Sequence, residues 1–125
     1  MQGQTSKGLR IAILIYAIYF MVWGLLHVIS PETLGANDPP IMRILGAAMV
    51  AFAFGAGLAY LERAWGRIKI AVLMQIAWMI VYTVTMAWGI LAGGIITLAW
   101  MPTIIGAVFA ILLTALYIRE ERIKK

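Results

Sequence analysis

Four apolar runs, each roughly 19–24 residues long, leave this chain very few folds to choose from. They extend from about Ile11 to Ile29, Ile41 to Leu61, Ile70 to Leu91, and Ile95 to Ile118. A helix needs about 20 residues to cross the hydrocarbon core of a bilayer. A bilayer also offers no water to backbone N–H and C=O groups, so each run must satisfy its own polar backbone as a helix. The alternative, a soluble domain, fails on composition. Hydrophobic residues make up 64% of the 125, against about 45–50% in ordinary globular domains. Residues 1–125 are therefore expected to form one all-α domain, an integral membrane four-helix bundle.

Charge placement orients the bundle. Lys7 and Arg10 precede the first run, Arg63, Arg67 and Lys69 lie between the second and third, and Arg119, Arg122, Lys124 and Lys125 follow the fourth. Nine of the ten basic residues thus share one side, and Arg43 stands on the other. The positive-inside rule then predicts cytoplasmic termini and a multi-pass protein of the cell membrane. The net charge of +5 reads as a topology signal with some attraction to anionic lipid, not as a nucleic-acid surface. With no cysteine in the chain, thiol nucleophiles, CxxC redox pairs and thiolate metal sites are excluded.

Lys7 and Arg10 ahead of an apolar run could open a signal peptide. The run is long for one, however, and no small-x-small cleavage site follows it, so a retained helix is expected. The connections at Glu62–Lys69 and Gly93–Gly94 are short, which forces antiparallel neighbours and an up-down-up-down order. Pro102 resists a helix interior. Either the fourth helix kinks there, or Ile95–Met101 lies in the interface and the span begins near Pro102. Trp88 and Trp100 bracket that turn as interfacial aromatics do.

The connection between the first two runs, "GLLHVISPETLGANDPPIMRILG", holds the only histidine and three of the four prolines. Ser30, Pro31 and Gly35 have the spacing of a cap, a first helical position and a stop, so one short helical turn is expected there. Asp38 before Pro39 suits the N-cap of the second span. Tyr16, Phe20, Trp23 and His27 recur at helical spacing and share a face. Trp23 and His27 on this face, with Glu32 and Arg43, are the candidate ligand site or loop clamp. In the clamp, Arg43 faces inward and Glu32 is its carboxylate partner. No catalytic set can be assembled from these groups, and no His, Asp and Glu cluster is spaced for a metal, so no catalytic residue, metal or cofactor is assigned.

Small residues mark packing faces. Ala47, Ala51, Gly55 and Ala59 repeat every four residues on the second span and are read as a helix contact, within the bundle or between subunits. Gly106, Ala110 and Thr114 form a weaker series on the fourth. Gln75 in the third span is expected to snorkel or to bond across helices.

Three functional classes follow. A small transporter or channel is disfavoured, because ion coupling ordinarily uses a carboxylate inside the membrane and the span centres have none. An enzyme lacks a nucleophile and base. A membrane subunit or scaffold, partnered by lipid and by other membrane chains or itself, is the reading expected to hold. A lipid- or quinone-binding protein with an outer-side pocket is the alternative.

"GLLHVISPE" leaving the first span and "RILGAAMVAFAFGAGLAYL" opening the second resemble the DoxX-like group of small four-helix membrane proteins. The resemblance covers about forty residues, with Arg43, Gly46 and Ala47 at the group-like positions. It implies a four-helix integral membrane protein, and it also implies a link to membrane subunits of quinone-linked oxidoreductases.

Overall fold

The computed structural model describes residues 3–34, 38–93 and 100–125. Four long helices carry the fold: α1 (Lys7–Ile29), α2 (Pro39–Leu61), α3 (Trp65–Leu91) and α4 (Trp100–Ile123). Each is long and apolar enough to cross a membrane. A short 3-10 turn, Pro31–Leu34, follows α1. The chain runs up-down-up-down. α1 packs most closely on α2 and α3 on α4, while thinner α1–α4 and α2–α3 contacts close the ring. Both termini lie at one end, where Lys124 Nζ reaches the carbonyls of Gly3 and Gln4.

The helices outrun the apolar segments. α1 begins at Lys7 and α3 at Trp65, because charged residues are good helix formers once a neighbour fixes the first turn. Asp38 caps α2 by accepting the Ile41 N–H at 3.3 Å, and Pro39 occupies the first helical position, where its missing N–H costs nothing. Ser30 ends α1 through its backbone N–H, which donates to Leu26 O at 2.9 Å. Pro102 lies in the first described turn of α4, where a helix tolerates proline. Residues 95–99, and Gly35 with its expected stop, lie outside the described residues.

Inside the bundle, Tyr16, Phe20, Met49, Met79, Phe109 and Leu113 are buried. Outside, Ile18, Phe54, Val84 and Ile111 are exposed, as side chains facing lipid must be. The closest approach joins α1 to α2. A Cβ built on Gly46 would sit 2.6 Å from His27 Cβ and 2.7 Å from the Gly24 carbonyl oxygen. One on Gly24 would meet Gly46 O and Val50 N, both at 2.9 Å. Only glycine lets the two backbones touch. Gly106 plays the matching part between α4 and α3, against Thr83 Oγ1 at 2.9 Å.

The bundle-facing side of α2 is Gly46, Met49, Ala53, Ala56 and Ala59. Of the small-residue series read from the sequence, Ala47 and Ala51 are exposed, Gly55 is half-buried and Ala59 is buried. The reason is helical drift. Four residues advance an α-helix by about 400°, so a strict four-residue series rotates by about 40° per step. From Ala47 to Ala59 the face turns by about 120°, from the outer surface to the core. Arg43, one step earlier, is exposed and does not face into the bundle as expected.

Gly24→Ala and Gly46→Ala should each lower the stability of the detergent-solubilised protein by about 1–3 kcal/mol, the usual cost of overpacking. Gly57→Ala, whose Cβ would meet nothing within 4 Å, should be neutral or slightly stabilising. Thermal unfolding of the three variants checks this, and equal midpoints would contradict it.

Candidate functional site

The polar chemistry sits at the two ends of the bundle. At the loop end, α1 presents Trp23 and His27, both half-buried. Their rings meet edge to face at 5.8 Å. His27 Nδ1 lies 2.7 Å from Trp23 O. A carbonyl only accepts, so Nδ1 is the donor in this contact. The 3-10 turn brings Glu32 to within 3.4 Å of Arg43 Nη2. These side chains are 50% exposed for Arg43 and 61% for Glu32. Water screens such a pair, which is worth about 0–1 kcal/mol. The structure thus joins Arg43 to Glu32, and joins His27 to Trp23 and to the Gly46 crossing. Asp38 is occupied with its own helix.

At mid-depth the interior is aromatic. Tyr16 stacks on Phe20 at 4.7 Å, and Phe109 meets Tyr16 edge-on at 5.5 Å. Phe52 stacks on Trp78 at 4.7 Å where α2 meets α3. Gln75 Nε2 donates to Phe52 O at 3.0 Å, so this glutamine bonds across helices. Ile13, Tyr16, Ala56, Ala59, Val72, Gln75 and Leu113 enclose a void of about 10 Å³, at the lower limit for one water. Among the described residues no three His, Asp or Glu side chains gather as a metal site would require.

The terminal end holds an ordered polar cluster that sequence reasoning missed. Glu120 is buried, with 1% of its surface exposed. Its Oε1 accepts the Ser6 N–H at 3.0 Å, and its Oε2 lies 2.7 Å from Lys124 Nζ. Lys124 also stands over the Trp65 ring, 5.6 Å from its centre. Trp65 Nε1 in turn donates to Glu121 Oε1 at 2.8 Å. Residues 3–5 run alongside the α2–α3 turn. Thr5 N donates to Arg63 O at 2.8 Å and Trp65 N to Gly3 O at 3.3 Å. In that turn Glu62 Oε1 accepts Ala64 N at 3.0 Å. The Ala64 N–H above all, with Arg67, holds the Glu62 carboxyl below the usual carboxylate range. The one available signal was the i,i+4 pairing of Glu120 with Lys124. In a run as charged as "REERIKK" that spacing also describes an ordinary solvated tail.

No protein-family model, curated protein or solved structure matches this chain.

Arg43→Met should cost less than about 1 kcal/mol, and the loss should shrink further in high salt. Asp38→Ala should cost more, about 0.5–2 kcal/mol, because it removes a helix cap. Unfolding of both variants at low and high salt is the check. A larger, salt-independent loss for Arg43→Met would mean that the pair is a true clamp.

Proposed function

We propose that this multi-pass membrane protein serves as a subunit or scaffold of a membrane complex, and that its outward α2 face receives another membrane chain. The observation that carries this reading is the position of Ala47 and Ala51, exposed on the surface of α2. Where both phases are apolar, association depends on close packing, and small side chains permit it. The bundle's own polar groups support the same reading. Asp38, Glu62 and Glu120 are committed to helix ends and to the terminal cluster, and Arg43 and Glu32 form an exposed pair. The resemblance to DoxX-like proteins, through the segments that carry Gly24 and Gly46, fits a subunit as well. A lipid- or quinone-binding role would rest instead on His27, a half-buried ring fixed through Nδ1.

The cell membrane is the proposed location, with the termini in the cytoplasm, supported by the nine basic residues on the terminal side. Thiol labelling tests the orientation in a chain that has no native cysteine. From outside intact cells, Asn37→Cys should label and Lys125→Cys should not, and the opposite pattern would reverse it.

For the complex, the protein should leave the membrane in mild detergent as a particle heavier than one chain plus its detergent. Ala47→Phe with Ala51→Phe should return it to one chain without lowering its thermal midpoint. A native chain that is already monomeric, with no companion, would overturn the reading.

A further inference from the structure

The terminal cluster and the void share the terminal half of the bundle. Leu9 and Ile68 are buried in the turns between them. Ala59 lines the void and stands two residues before the end of α2, and Val72 stands two turns inside α3. At about 1.5 Å rise per residue the void lies within about 10 Å of the terminal end. Two buried polar atoms belong to residues that wall the void, Tyr16 OH and Gln75 Oε1, and neither has a hydrogen-bond partner. Both would be better satisfied in contact with water.

We infer that Gly3–Ser6 is a strap that seals this end of the bundle, and that lifting it admits water to Tyr16 and Gln75. Three contacts hold the strap down. It pairs with the α2–α3 turn through Thr5 and Gly3, it is clasped by Lys124 at Gln4 O, and it ends on Glu120 through Ser6 N. Ser6 is the joint between strap and helix, because its Oγ also accepts Leu9 N–H at 3.4 Å as the N-cap of α1. Releasing Ser6 from Glu120 therefore loosens the first turn of α1, which carries the buried Leu9. Hydrogen bonds and a buried ion pair favour the closed arrangement, and hydration of Tyr16 and Gln75 favours the open one. Opposed terms of this kind make a two-state element that a bound partner can bias. The inference stands apart from the subunit reading.

The absence of cysteine makes the test direct. Ala59→Cys, on the void, and Gly57→Cys, beside it with open space around its Cβ, are labelled with a small water-soluble thiol reagent. Each is made in the native chain and in Glu120→Leu/Lys124→Leu, which removes the acceptor of the Ser6 N–H together with both charges and so strands neither charge. Ala59→Cys should react at least tenfold faster in the double variant, and Gly57→Cys at the same rate in both. Equal rates for Ala59→Cys would overturn the strap, and so would a parallel rise at Gly57→Cys, the sign of general loosening. A second arm leaves the native charges in place. Gln4 and Ala64 face each other as an antiparallel pair, so Gln4→Cys/Ala64→Cys can be cross-linked there. Hydrogen exchange at residues 56–61 should slow when the link forms and recover on reduction. Exchange indifferent to the link would overturn the proposal as well.

Discussion

The fold depends on a backbone-to-backbone contact where α1 crosses α2. In water, helices are driven together by burial of apolar surface. In a bilayer that drive is absent, and close packing must supply the attraction. Gly24 and Gly46 supply it by removing the side chains that would hold the helices apart. The consequences spread outward. The crossing sets His27 against α2 and brings the 3-10 turn over the start of that helix. It leaves Ala47 on the outside, one residue around from Gly46.

The two ends of the bundle are built on different principles. The loop end relies on caps and prolines, with an ion pair that water screens. The terminal end relies on a carboxylate almost wholly withdrawn from solvent, and it gathers the N-terminal segment, the α2–α3 turn and the end of α4 around it. Buried charges are expensive unless paired and hydrogen-bonded. Glu120 has a lysine on one oxygen and a backbone N–H on the other. Such an arrangement specifies one geometry rather than many, and it fixes the relative height of α1 and α4.

The architecture was legible because it follows from lengths and hydropathy, which are local properties. Four runs of bilayer length left four helices as the answer, and Asp38-Pro39 marked a cap by its residue types alone. Facing was harder to read. Ala47, Ala51, Gly55 and Ala59 form a regular series in sequence, but regularity at four residues is not alignment at 3.6, and the series spirals from lipid to core. Gly24 and Gly46 are two of twelve glycines in the chain, and nothing local distinguishes a crossing glycine from any other. Glu120 was illegible for a different reason. Its partners are Ser6, more than a hundred residues away, and a lysine in a tail that looks solvated. Burial of a charge is a tertiary fact, and only the returned N-terminus creates it.

A double-mutant cycle on the crossing tests the central claim most directly. If the two glycines share one contact, the first methyl group forces the helices apart and the second meets space already opened. The stability lost by Gly24→Ala/Gly46→Ala together should then fall short of the two separate losses by about 1 kcal/mol or more, within the range found for residues in contact. Strictly additive losses would contradict the account, since they would place the two glycines in independent surroundings.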